Sequence, residues 1–232
     1  MEIITPENIS CSILCNSADA DILCYLIGAN DKAEKIFKTV NNDRLKLICV
    51  KVEDWNRLLS PWKTEKVFSA GDNFGGEAEY FLNQLEHEII PQIEKEAVSH
   101  RIIAGYSLAG LFAVWSCYNS KLFDALVSCS GSTWFDGFTD YAENRKLLSP
   151  LAAAYFSLGD KEKKTRNRRM ASVEQCTEKI NELISESCEN TIFKLVPGNH
   201  FNEPEMRLAR GISYVLKYLN EGSVPSHKYK IT

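Results

Sequence analysis

Along the chain, short β-branched runs alternate with longer stretches of helical period. Residues 9–15 alternate apolar and polar positions and residues 23–27 form a second run, so both predict early strands. Ala33–Val40 reads as a short helix, and the mostly apolar run 45–52 as a strand buried on both faces. Residues 55–62 are irregular and rich in aromatic and turn residues. After Gly75 and Gly76, Ala78, Phe81, Leu82, Leu85, Ile89 and Ile93 recur at helical spacing, and Pro91 is expected to kink or split that helix. Residues 101–106 predict a strand, 108–118 a helix, Ala125–Cys129 a strand, and 152–158 another. An amphipathic helix over 172–184, a strand at Thr191–Val196 and a closing helix over 205–219, opening on Pro204, complete the pattern.

Strands that alternate with helices of this length imply a mostly parallel sheet covered on both faces. No repeat and no Pro/Gly/Ser-rich linker divides the chain, so residues 1–232 are expected to form a single three-layer α/β/α sandwich. A chain of 232 residues can bury roughly 70% of its unfolded surface, so the core needs neither disulfides nor a metal.

Composition narrows the function by exclusion. With 44% hydrophobic and 25% charged residues, the chain is an ordinary globular one. Thirty-one acids against twenty-seven bases leave a net charge of −4, and the pI is near 5.7. Nucleic-acid binding, which calls for a basic face and a high pI, is not expected. The densest basic stretch, residues 161–169, reads as a solvated helix start. The eight cysteines are scattered, mostly within apolar segments, and none stands in a C-x-x-C pair. They read as small buried hydrophobes of a reducing compartment rather than as zinc ligands. The N-terminus lacks the pattern of a signal peptide, and no apolar run approaches the ~20 residues of a membrane span. A cytoplasmic protein without membrane contact is expected.

The chemistry-bearing signal is Gly105-Tyr106-Ser107-Leu108-Ala109-Gly110, set between a strand and a helix. A sharp strand-to-helix turn that presents a serine needs small residues two before and two after it. Gly105 and Ala109 meet that need, with Ala in place of the more usual second Gly. The helix start offers amide N–H groups and positive dipole to a developing oxyanion. Such a turn calls for an acid after a later strand and a histidine after the last one. The strand at 152–158 runs into Gly159-Asp160-Lys161-Glu162, and the last strand runs into Pro197-Gly198-Asn199-His200-Phe201. His200 alone has the right place and order: His87 is on a mid-chain helix, His100 precedes the strand before Ser107, and His227 lies in a polar tail. The residues alone leave the acid open. Asp160 is the commoner type for the task, whereas Glu162 stands where the loop can turn toward His200.

From about Leu45 onward the chain resembles the α/β-hydrolase esterases, a family that includes enterochelin and ferric-siderophore esterases, feruloyl esterases and S-formylglutathione hydrolases. The carriers are Trp55-Asn56, Leu59-Ser60-Pro61-Trp62, the segment around Ser107, Ser130-Gly131-Ser132-Thr133-Trp134, Gly159-Asp160-Lys161-Glu162 and Gly198-Asn199-His200-Phe201. The Gly-x-x-Glu of siderophore esterases maps onto Glu162, which the resemblance therefore implies as the acid. It also implies an oxyanion site from the Leu108 N–H and an amide of the loop around Trp55 and Asn56, although the His-Gly-Gly-Gly of lipases is missing. Trp55, Trp62 and Trp134, with Tyr106, are expected near substrate, or else simply pack loops onto the sheet. The expectation is a serine esterase acting on a small or siderophore-like ester, with no metal and no organic cofactor. Its rivals are an acyltransferase or thioesterase using the same residues, and a hydrolase-like protein that only binds.

Overall fold

In the computed structural model the described residues are 2–4, 9–28, 32–67 and 71–219, so His227 lies outside them. Ten strands and nine α-helices alternate among these residues. One sheet of eight strands runs in the order β1-β2-β4-β3-β7-β8-β9-β10. Its members are β1 (Glu2–Ile4), β2 (Cys11–Cys15), β3 (Ile22–Ile27), β4 (Leu45–Val50), β7 (His100–Tyr106), β8 (Ala125–Cys129), β9 (Ala153–Gly159) and β10 (Thr191–Val196). β1 pairs antiparallel with β2, and β2 antiparallel with β4; every other pairing is parallel. The two-residue strands β5 (Lys63–Thr64) and β6 (Phe74–Gly75) form a separate ribbon.

The central strands are buried on both faces, which is why their sequences read as continuous apolar runs rather than alternating ones. Successive residues serve opposite layers. Leu23, Tyr25 and Ile27 of β3 join one core, together with α3 (Ala78–Gln84), α4 (Ile90–Ile93) and α5 (Leu108–Asn119). α6 (Phe138–Glu143) and α8 (Val173–Ser185) also feed that layer. Ile22, Cys24 and Leu26 join the other core, closed by α1 (Ala33–Val40) and α9 (Pro204–Leu219). This is the expected three-layer sandwich. α5 is buried all round, as a helix pressed into the middle of the fold must be.

Several boundaries differ from the sequence expectations. The segment expected to be irregular holds one helical turn, α2 (Trp55–Leu58), because the Asp54 side chain caps the Arg57 N–H. The long helix is interrupted just before Pro91 by a π-helical turn at Leu85–Ile89, where the Ile90 N–H reaches back to the Leu85 carbonyl. Pro91 has no N–H to donate and its ring crowds the preceding turn, so the helix widens there. The basic stretch begins not as a helix but as turns; helix α7 (Arg168–Ala171) starts only where the Asn167 side chain caps it. All eight cysteines are free thiols, but two depart from the expectation of burial: Cys15 is exposed and Cys176 half-buried.

Helix α9 lies close against the sheet because residue 211 has no side chain. A Cβ there would stand 2.5 Å from Val127 Cγ1 and 2.7 Å from Tyr155 Cδ1. Alanine would gain about 1 kcal/mol of helix propensity, but forcing a methyl into this contact costs about 1–3 kcal/mol. Gly211→Ala is therefore expected to lower the melting temperature; an unchanged or higher Tm would show that α9 can shift outward freely.

Candidate active site

The turn from β7 into α5 is very tight. Ser107 takes φ 58° and ψ −125°, a left-handed backbone conformation unusual for a residue with a side chain. It is held there by its own backbone: the Ser107 N–H donates to Cys129 O (3.1 Å), and Ser107 O accepts from Leu111 N–H (3.1 Å) and Ser132 N–H (3.0 Å). Gly105 is required because a Cβ on it would collide with the carbonyl of Ala109. A serine at a helix start ordinarily uses its hydroxyl to cap the first turn. Here the strained backbone prevents that, and no side-chain cap bond forms. The Ser107 hydroxyl is free for something else.

It meets His200. Nε2 of His200 lies 3.1 Å from Ser107 Oγ, and Nδ1 lies 2.8 Å from Glu162 Oε2. With Glu162 ionised, Nδ1 carries the proton and donates it, which leaves the Nε2 lone pair to accept from the serine hydroxyl. The other carboxylate oxygen, Oε1, accepts from the Gly159 N–H (2.7 Å), the Ser130 hydroxyl (2.7 Å) and Arg207 Nη1 (3.0 Å). Burial by itself would raise the Glu162 pKa, but the hydrogen bonds from His200, Ser130 and Gly159 outweigh it and hold the group below its ordinary value. The loop is tight here as well. A Cβ on Gly159 would sit 2.5 Å from Gly198 O and 3.0 Å from Glu162 Oε1.

Asp160 points elsewhere. Its Oδ1 accepts from the Gly198 N–H (2.9 Å), while its own N–H donates to Val196 O (2.9 Å), so it shapes the two loops without touching the imidazole.

Tyr106 reaches the wall of the site but commits its hydroxyl to the loop that carries His200. Burial pushes its phenol up to about 12, so the hydroxyl keeps its proton and donates it to His200 O at 2.6 Å. A hollow of about 370 Å³ opens beside His200, walled by Leu26, Ile27, Trp55, Tyr106, Phe201 and Leu208 among others. Trp55 lines it through its ring, with Nε1 bonded to Val52 O (3.0 Å). The turn carrying Trp55 and Asn56 follows β4, and β3 separates β4 from β7. Trp55 itself folds back over the chain leaving β3, where a Cβ on Gly28 would stand 2.3 Å from Trp55 Cζ2. The Asn56 side-chain Nδ2 donates to Asp72 O (2.9 Å). Trp134 is not on the wall of the hollow; it packs on Phe74 with the Arg169 guanidinium over its ring. Trp62 packs among Phe135, Phe138 and Tyr141.

Sequence reasoning gave no role at the site to Ser130, although its segment carries the resemblance, and missed Arg207. Arg207 is 1% exposed, the one ionisable side chain among the fully buried polar residues described. The available signal was its position on α9, four residues before Gly211 and eight before Val215, which puts a cation on the buried stripe. Among the described residues no group of His, Cys, Asp and Glu is arranged to hold a metal, and no helix is long and apolar enough to cross a membrane.

No protein-family model matches the chain. The uncharacterized protein YbbA of Bacillus subtilis (strain 168) is 23% identical over 192 residues, spanning 79% of this chain and 68% of that protein. Among solved structures, an IroE-like serine hydrolase from Shewanella oneidensis aligns with TM-score 0.73 at 16% identity, over 90% of this chain and 76% of the other. The siderophore hydrolase EstA from Aspergillus nidulans gives 0.68 at 17%, over 91% and 90%. The enterobactin esterase FES from Shigella flexneri gives 0.64 at 13%, over 93% and 58%. At these identities the likeness establishes an α/β-hydrolase fold.

The lowered Glu162 pKa has a consequence for stability. A carboxyl held below its unfolded value of about 4.3 stabilises the fold above that pH and loses the contribution as pH falls through the depressed folded value. Tm measured from pH 6 to pH 3 should fall less in Glu162→Gln than in the wild type, because the variant has no such proton to take up. Parallel curves would show that the carboxylate is not held in this network.

Proposed function

We propose that the chain is a serine hydrolase of carboxylic esters. The observation that carries this reading is the continuous chain Ser107–His200–Glu162, at 3.1 and 2.8 Å, on a serine whose backbone is bent out of capping geometry. Ser107 Oγ attacks the ester carbonyl while His200 Nε2 takes its proton. Glu162 orients the imidazole through Nδ1 and stabilises its cation. The tetrahedral oxyanion rests against the Leu108 N–H at the start of α5, where the first amides have no partner inside the helix. His200 then hands its proton to the departing alcohol, and water cleaves the acyl-enzyme by the same steps. No step calls on a metal or organic cofactor. A transferase with the same residues differs only in which nucleophile takes the acyl group, and a binding protein has no use for a serine placed so.

The proton reaches the leaving oxygen from His200, so the alcohol portion of the ester lies on the His200 side. That side is the apolar hollow of about 370 Å³. Its mostly apolar wall suits an aryl or branched alkyl alcohol. The siderophore hydrolases and the enterobactin esterase that share the fold make a siderophore-like ester the substrate class to try first.

Ser107→Ala should reduce ester hydrolysis by 10³-fold or more without loss of folding, and a fluorophosphonate probe should label Ser107 in the wild type. Glu162→Gln should lower kcat by up to ~10⁴-fold, whereas Asp160→Asn should keep most activity and give up about 1 kcal/mol of stability. Activity retained in Ser107→Ala, or lost in Asp160→Asn and kept in Glu162→Gln, would refute the assignment.

The hollow makes its own prediction. With the acyl group fixed as acetyl, each methylene added to the alcohol should raise kcat/KM about fourfold, the worth of ≈ 0.8 kcal/mol of burial, until the hollow is full. Trp55→Ala should flatten that series. A wild-type series that is already flat would place the alcohol elsewhere.

A further inference from the structure

Arg207 is the buried group whose presence the reaction steps leave unexplained. A charge is costly to bury, and it is kept inside a protein where its donors are all engaged. Arg207 Nη1 lies 3.0 Å from Glu162 Oε1, 2.8 Å from Ser130 Oγ and 3.1 Å from the Tyr106 hydroxyl, and Nη2 donates to Asn199 O at 2.9 Å. One planar guanidinium thus touches the acid loop, the loop that carries His200 and, through Tyr106, the residue before Ser107. Tyr106 closes the circuit by donating to the carbonyl of His200 itself. Ser130, the third partner, also sits in a left-handed conformation, φ 46°, with its N–H bonded to Ser157 O.

We infer that Arg207 is a positioning residue that, with Tyr106, holds the acid and histidine loops in register with Ser107 and sets how strongly Glu162 supports the imidazole. The inference rests on the proposed Ser107–His200–Glu162 mechanism. Its logic is geometric first. Oε1 of Glu162 is filled by the Gly159 N–H, Ser130 and Arg207, which leaves Oε2 as the oxygen offered to His200. The carboxylate cannot rotate away. The second part is charge. Arg207, on the far side of the same carboxylate, offsets part of its negative charge, so Glu162 supports an imidazolium less strongly than a bare carboxylate would. The groups that face the imidazole are Glu162, Ser107, Tyr106 and Phe201. Lys32 and Glu205 stand on the wall of the same hollow, with Glu205 paired to Lys32 and Lys35. None of these takes over the contacts of Arg207. Lysine would keep the charge but not the planar fork that reaches Nη1 and Nη2 partners together.

The test compares Arg207→Met, Arg207→Lys and Tyr106→Phe in the full chain by two readouts: the rate of fluorophosphonate labelling at Ser107 against pH, and the NMR titration of the His200 imidazole. In Arg207→Met both midpoints should move up by about one pH unit. In Arg207→Lys and Tyr106→Phe the midpoints should stay at the wild-type value while the limiting rate falls about tenfold or more, the cost of a misplaced loop. If Arg207→Met does not fold, Arg207→Gln supplies the neutral variant. A folded neutral variant of lower Tm with wild-type midpoint and rate would make Arg207 a structural ion-pair partner only, and would overturn the inference. If the wild type is not labelled at Ser107, the parent mechanism fails instead, and the imidazole titration still reads whether Arg207 acts on His200.

Discussion

The constraint on which the site depends is the space between the end of β7 and the start of α5. The chain must reverse from strand to helix within one residue, and Ser107 takes up the whole change. A residue held at such dihedrals costs of order 1–3 kcal/mol and persists only if its surroundings over-determine it. Here they do. Three backbone hydrogen bonds fix Ser107, and Gly105 and Gly110 let β7, α5 and the loop after β8 close to contact; a Cβ on Gly110 would lie 3.0 Å from Gly131 Cα. The strain has a chemical use, because it takes the serine hydroxyl away from capping and turns it toward His200.

The second requirement is electrical. Glu162 and Arg207 are buried together beneath the imidazole, and neither would be tolerated there alone: removing one partner of a buried pair typically costs 3–5 kcal/mol. The pair is joined to the backbone at Gly159 and Asn199, so the same hydrogen bonds that satisfy its charges tie the acid loop to the histidine loop. Electrostatics and loop geometry are one arrangement here, which is why the glycine at 159 matters. Its missing Cβ is what lets Gly198 O, Arg207 Nη2 and Glu162 Oε1 gather around one point.

How much of this the sequence revealed follows from the range of each interaction. The serine turn was legible because its demands are local: small residues at 105 and 109 between a strand and a helix. The sandwich was legible because strands buried on both faces keep a signature of their own, and the resemblance pointed to Glu162 through its spacing from Gly159. Contacts between distant segments left little trace. Arg207 meets Glu162 across 45 residues and Tyr106 across 101, and nothing near Arg207 announces either partner. The same holds for Trp134, whose place away from the hollow is decided by Phe74 and Arg169. The turn around Trp55 and Asn56 carried no such local signal, because it follows β4, which β3 separates from β7 in the sheet.

The sheet explains why four loops so far apart in sequence converge. β7, β8, β9 and β10 are adjacent and parallel, and their carboxyl ends lie within two residues of one level: Tyr106 pairs with Cys129, Cys129 with Ser157, and, two residues further along, Gly159 with Val196. Each strand therefore releases its loop at the same end of the sheet, delivering Ser107, Ser130, Glu162 and His200 to one place. Register is strict in such a sheet because a slip of one residue exchanges the two faces of a strand. Both faces here are packed against helices, so a slip in β8 would drive Val127 and Leu126 into each other's layers. The apolar packing that holds each strand in register is thus what sets the distances among the polar groups above it. The 2.8 Å between His200 and Glu162 depends on side chains that touch neither residue.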